Sequence, residues 1–251
     1  MNNKVDVHSK TSDKKGAGGA LEGIIRTFRG ASHVLFTVPL ILICVMCMGV
    51  AMAPAVALFA WVQDLTSHSI PLLKYFSLGM SIAFGFFAYG ISIILVVPLV
   101  NFLLPFRVKK FRGPWYSTEV MVWYIHNALT QIVRYSFLDF ITPSPLNTLF
   151  YRLMGMKIGK GSVINTSNIS DPCMIEIGDH VTIGGSATLM AHYGQKGFLI
   201  IEPLIIKDGA NIGLRASLMG DVIIEKNATV LAHSVVFPKT RVGEGEKYPA
   251  N

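Results

Sequence analysis

Charge is what this sequence lacks most. Among 251 residues there are 22 Lys and Arg and 15 Asp and Glu, 15% in all, against a hydrophobic share of 51%. With a mean hydropathy of +0.49, that scarcity argues against a plain soluble enzyme. Cysteine is scarce too: the 3 present are odd in number, and Cys44 and Cys47 stand inside an apolar run, so no disulfide framework is expected. Acidic residues are too few to balance the basic ones, leaving a formal charge of +7. The basic residues do not form a nucleic-acid motif. Lys4, Lys10, Lys14, Lys15, Arg26 and Arg29 precede the apolar blocks and Arg107, Lys109, Lys110 and Arg112 follow them, as at the cytoplasmic ends of membrane helices. The excess is read as topology and contact with anionic membrane lipid, with no nucleic-acid partner.

Two stretches lack charge altogether, residues 34–62 and 75–106. Each exceeds the roughly 20 residues needed to cross a bilayer core, so residues 33–106 are assigned to two transmembrane helices forming an α-helical hairpin. The length of the first run, the polar stretch before it and the second run after it argue against a secretory signal peptide. The connection 63–74 holds only Asp64 and Lys74, which with the basic flanks places both termini in the cytoplasm. Pro39, Pro54 and Pro98 predict kinks. The Cys44/Cys47 pair reads as packing within a spanning helix. Residues 1–32 read as a disordered basic tail, being polar and glycine-containing.

Residues 107–154 are rich in aromatics, with Trp115, Tyr116, Trp123, Tyr124, Tyr135, Phe137, Phe140, Phe150 and Tyr151 alternating with Arg134, Asp139 and Arg152. That mixture suits interfacial helices. One amphipathic helix is expected over 117–137, ended by the turn Thr142-Pro143-Ser144-Pro145, and a short one over 146–154. His126 reads as a polar-face or interfacial histidine.

The final hundred residues repeat with a period of six. Ile206, Ile212, Leu218, Ile224, Val230, Val236 and Val242 are aliphatic at successive steps, and Ala210, Ala216, Val222, Ala228, Ser234 and Thr240 follow the first six of them by four positions. Ile177, Ile183 and Leu189, with Val181 and Ala187, keep the same rule, and Ile158 with Ser162 begins it. Neither a helix nor an ordinary strand has this period. A six-residue unit gives one short strand and one turn, and three units close a triangular coil of about eighteen residues with aliphatics stacked inside. The rhythm slips between Leu189 and Ile206, so the segment around Met190, His192, Tyr193, Lys196 and Phe198 must loop out, where repeat proteins commonly bind.

These residues, in particular the run 177–184 (IGDHVTIG) and the run 212–217 (IGLRAS), resemble the bacterial hexapeptide-repeat acyltransferases. The lead-in 153–159 (LMGMKIG) and the closing Tyr248-Pro249-Ala250 are similar to the galactoside and maltose O-acetyltransferase branch, and to hexapeptide domains of peptide-synthetase-like membrane proteins. The resemblance implies an all-β left-handed parallel β-helix acyltransferase domain over 155–251. It further implies a homotrimer with active sites between subunits, and His192 as the base that deprotonates the acceptor. Asn165 and Asp171 become candidate acceptor-binding residues, and the backbone of Gly213 or Leu214 the oxyanion donor. The co-substrate is acetyl-CoA or another acyl-CoA, its arm near Ala216 and Ala232 and its phosphates near Lys239 and Arg241. Some β-helices of this kind are zinc enzymes, but His180, His192 and His233 lack the close pair such a site needs, so no metal is expected. The expected protein is a multi-pass acyltransferase of the bacterial inner membrane. Its acceptor is a hydroxyl or amine of a membrane-proximal glycan, lipid-linked or peptide intermediate. An acyl carrier protein as donor, a larger biosynthetic complex, and a non-catalytic trimeric scaffold are the alternatives.

Overall fold

The computed structural model describes residues 9–12 and 14–249. Residues 1–8 of the expected tail, and Ala250 of the closing motif with Asn251, lie outside that range. Helix α1 (Gly16–Leu65) and helix α2 (Pro71–Leu103) form the hairpin. Both are long and apolar enough to cross a membrane, with best-window mean hydropathies of 2.7 and 2.3. They approach closely where Gly85 faces Ala55: a Cβ on that glycine would lie 3.3 Å from the alanine methyl. All three prolines lie within these helices, but the break in helical dihedrals falls at Arg29, with φ 22° and ψ −94°.

The amino-terminal tail needs correction, because residues 16–32 are helical. Their low apolar content is offset by an ion-pair network fastened to the next domain. Glu22, 2% exposed, pairs with Arg26 at 2.6 Å and with Lys14 at 2.8 Å, and Lys14 reaches Glu119 at 2.6 Å. Glu22 also accepts from the backbone N–H of Thr118, the first residue of helix α3 (Thr118–Val133), where a helix dipole favours an anion.

Between α2 and α3 the chain forms a strand, Phe111–Pro114, ahead of the expected helix. Helix α3 runs into a π-helical turn, Arg134–Leu138, then α4 (Asp139–Ile141) and α5 (Pro145–Leu153), the last capped by the Ser144 hydroxyl. The aromatics of this region were expected at the bilayer surface. Phe150 and Tyr151 are instead fully buried, and Trp123 and Phe137 nearly so. Their partners are protein: Phe137 packs on Gly90 of α2, and the Tyr151 hydroxyl donates to the Ser167 carbonyl at 2.8 Å.

Residues from Lys157 onward wind into a three-sided parallel β-solenoid of about five turns. The first face stacks Lys157–Ile158, Ile175–Ile177, Leu204–Ile206, Val222–Ile224 and Arg241–Val242. The second stacks Val163–Ile164, Thr182–Ile183, Asn211–Ile212, Thr229–Val230 and Lys247–Tyr248. The third stacks Ile169–Ser170, Thr188–Met190, Ser217–Leu218 and Val235–Val236. The hexad aliphatics fill the prism, with Ile183, Leu189, Ile212, Leu218, Ile224, Val230 and Val236 fully buried. Val181, Ala187, Ala210, Ala216 and Ala228 are buried beside them, where a turn leaves room for small groups only.

Candidate active site

The slip in the repeat is a β-hairpin standing out from the edge between the third and first faces. Its strands, His192–Gln195 and Phe198–Ile201, pair antiparallel from His192 opposite Ile201 to Gln195 opposite Phe198. Lys196 and Gly197 turn the chain, both with positive φ (50° and 81°), which suits the right-handed twist of a two-residue hairpin. Phe111–Pro114 adds a third antiparallel strand against Phe198–Ile201.

His192 therefore starts the arm at the solenoid edge, one coil above Asp171 on the same edge. Its Nδ1 lies 2.5 Å from Asp171 Oδ2. Asp171 takes left-handed dihedrals (φ 57°) and has no exposed surface. Four donors surround its carboxylate. Besides His192, the Ala191 N–H donates to Oδ2 at 3.2 Å, and Trp123 Nε1 and Asn127 Nδ2 donate to Oδ1 at 2.7 and 2.9 Å. The Trp123 ring also stands edge-on to the imidazole, centroids 4.8 Å apart.

Burial opposes the Asp171 charge, but the His192 hydrogen bond and attraction, then the Asn127 bond and the His126 ring, outweigh it and hold the carboxyl below its ordinary range. An ionised carboxylate only accepts, so His192 Nδ1 carries the hydrogen and Nε2 presents a lone pair outward. The side chain of His192 is 20% exposed. The arrangement can take a proton from a hydroxyl or amine while the buried carboxylate steadies the imidazolium.

Next to this pair lies a cavity of about 210 Å³ lined by Asn101, Arg107, Ile125, His126, Met154 and Cys173, among others. His126 Nδ1 is 3.2 Å from Asn101 Oδ1 and Nε2 is 3.5 Å from Cys173 Sγ. Burial pushes the imidazole down to about 4, with Asp171 pulling the other way. His126, expected on a polar or interfacial face, is 5% exposed and packed within the protein.

The other residues singled out in the sequence disperse around the prism. Asn165, Gly213, Leu214, Ala216 and Ala232 stack on the edge between the second and third faces, away from His192 of the same chain. The Gly213 N–H is taken by the Val230 carbonyl at 2.8 Å, so of that pair Leu214 retains the backbone donor. The methyl of Ala216 points into the prism and lines no groove, whereas Ala232 is exposed. Lys239 is exposed on the His192 edge, two coils above it, its N–H bonded to the Asp221 carbonyl at 2.7 Å. Arg241 is on the first face and held by Glu225, which also pairs with Lys207. Trp123 and Asn127 were not singled out as site residues. Their spacing of four on an amphipathic helix was the available signal, but it names no partner. His180, His192 and His233 occupy three different edges, and among the described residues no group of three His, Cys, Asp or Glu side chains could hold a metal.

No protein-family model matches the chain. A delta-poly-L-ornithine synthetase of Acinetobacter baumannii is 28% identical over 166 residues, 64% of this chain and 12% of that protein. A mitochondrial gamma carbonic anhydrase 2 of Arabidopsis thaliana is 36% identical over 75 residues, 30% of this chain and 23% of that protein. The chain thus spans less than a quarter of either curated relative. Among solved structures, a hexapeptide-repeat acetyltransferase of Vibrio cholerae superposes with a TM-score of 0.37 at 24% identity, over 51% of this chain and 89% of that one. By its own hexad and its own rungs, the carboxy-terminal part of this chain is a hexapeptide-repeat β-solenoid.

Proposed function

We propose that the protein is a membrane-anchored acyltransferase. It moves an acyl group from a thioester, acetyl-CoA or another acyl-CoA, to a hydroxyl or amine of a membrane-proximal acceptor. The observation that carries this reading is the His192–Asp171 pair on the hairpin arm. His192 Nε2 takes the acceptor's proton as its oxygen or nitrogen attacks the thioester carbonyl. The C–S bond then breaks and the imidazolium returns the proton to the departing sulfur, so the base is regenerated. The N–H of Leu214 would meet the oxyanion.

Asn165 and Leu214 sit on a different edge from His192, so they can complete its site only from a second copy. That supports a homotrimer with active sites between neighbours. Lys239, exposed on the His192 edge, suits a phosphate of the donor, while Arg241 is already committed to Glu225. Asp171 acts here as the positioning residue for His192, its carboxylate being enclosed by protein donors. The two apolar helices support an inner-membrane anchor with both termini cytoplasmic, which concentrates an acceptor in the membrane plane near the arm. The name of the Acinetobacter baumannii relative favours an amine acceptor; a carrier-protein thioester is the alternative donor.

The test is thioester consumption by the purified protein in lipid nanodiscs. His192→Ala should lower the rate by a factor of about 10² to 10⁴ with the melting temperature unchanged. Equal rates in the two proteins would discard His192 as the base, and no binding of either coenzyme A or a carrier protein would leave the non-catalytic scaffold as the better reading.

A further inference from the structure

A second, polar cavity of about 450 Å³ lies on the edge between the second and third faces, where the π-helical turn meets the first coils. Arg134, Asp139, Asn165, Thr166, Asn168 and Ser186 line it. The π turn explains why Arg134 and Asp139 face one space. Residues five apart in an α-helix point about 140° away from each other. Here the Asp139 N–H bonds back to the Arg134 carbonyl, the i→i+5 pattern that brings the two onto one side.

Their side chains are of opposite charge, and the Arg134 guanidinium lies over the Tyr135 ring at 4.7 Å. Arg134 bonds the neutral side chains of Asn168 and, at 3.4 Å, Gln131, and its Nε is buried without a partner. Asp139 accepts from the Ser167 hydroxyl. Among the described residues neither forms an ion pair. Hydroxyls and amides of Thr142, Thr166, Ser186 and Asn165 complete the lining. A neutral polyol would use these groups and leave both charges unmatched, at a cost in affinity.

We propose that this cavity binds a small zwitterion, presenting a carboxylate or phosphate to Arg134 and an ammonium to Asp139. Because Asn165 lines the same space, a bound zwitterion that carries a further, uncharged amine or hydroxyl is the acceptor, the ammonium on Asp139 having no lone pair to attack a thioester; that last step, but not the binding, rests on the acyl-transfer reading. Two sources share this chemistry, a free α-amino acid and a phosphoethanolamine headgroup.

Calorimetry on the full chain in phosphatidylglycerol nanodiscs separates them, with L-ornithine, O-phosphoethanolamine and maltose as probes. One of the two zwitterions should bind, and which one names the source. Arg134→Gln and Asp139→Asn should each weaken it at least tenfold. Ser186→Tyr, which fills the cavity from its exposed rim without touching either charge, should do the same if a charge variant misfolds. Binding of maltose but of neither zwitterion, or equal affinity in all variants, overturns the proposal. His192→Ala should bind the zwitterion normally. Zwitterion binding with no thioester turnover by the unmodified protein would count against the acyl-transfer reading and leave the binding site standing, whereas turnover that is lost in His192→Ala, with no zwitterion binding, would do the reverse.

Discussion

The indole N–H of Trp123 reaches Asp171 Oδ1 at 2.7 Å across 48 residues of chain, and the same ring lies edge-on to His192. A helix outside the solenoid therefore fixes both members of the pair that the solenoid edge presents. Trp123→Phe keeps an aromatic face against the imidazole and removes the hydrogen bond. Acyl transfer in this variant should fall about tenfold in kcat with KM unchanged, as expected for loss of one buried bond to a charged group. A matching change in KM would mean that Trp123 touches substrate instead.

Asp171→Asn leaves the shape and removes the charge that sets the imidazole tautomer. The rate should drop by about 10² or more at every pH from 6 to 9, while coenzyme A or carrier-protein affinity is kept. Since the wild-type carboxyl is held below its ordinary range, its stabilising contribution is complete above the unfolded value of about 4 and is lost only as pH falls through the lower folded value. Neutral-range pH profiles should carry no Asp171 limb.

His126 gives the opposite window. Its folded value of about 4 lies below the ordinary 6.5, so between those two values the unfolded chain binds a proton that the folded chain refuses. Stability should be full above pH 6.5, decline by on the order of 3 kcal/mol toward pH 4, and flatten below. Unfolding followed by tryptophan fluorescence against pH should show this slope, and His126→Gln should remove it. His126 contacts Asn101 and Cys173, Asp171 is the charged group that acts on it, and Arg107 lines the same cavity.

Gly90 is where α2 receives Phe137 of the π turn. A Cβ there would lie 2.1 Å from the ring. Gly90→Leu should force the ring out at a cost of about 1–3 kcal/mol or more and expose residues 134–141 to protease in intact nanodiscs, while the solenoid rungs persist. An unchanged digestion pattern would mean that the two elements do not depend on this contact.

The prism was readable because each rung demands an inward aliphatic at a fixed step, so Ile206 through Val242 declare themselves without tertiary information. The excursion that carries His192 was readable as well, since a phase slip between Leu189 and Ile206 can only be a segment looped out. The clamp on Asp171 was not, because Trp123 and Asn127 find it through space, and their helix alone is equally consistent with a bilayer surface. For the same reason Phe150 and Tyr151 looked interfacial: composition does not distinguish lipid from protein as the apolar neighbour. Helix formation over 16–32 depends on Glu22 meeting Lys14, Arg26 and the start of α3, pairings with no local signature beyond the four-residue spacing of Glu22 and Arg26. The Lys207–Glu225 pair was within reach, being one coil apart on the first face, and with it the engagement of neighbouring Arg241. The π turn that aligns Arg134 with Asp139 leaves no trace in apolar periodicity.

The strand Phe111–Pro114, which leaves α2, is sewn to the outer strand of the hairpin arm through residues 198–201. The arm is thereby leashed to the hairpin of apolar helices and cannot swing as a free flap. A displacement of α2 would therefore be passed, through residues 104–114, to the ribbon that begins at His192.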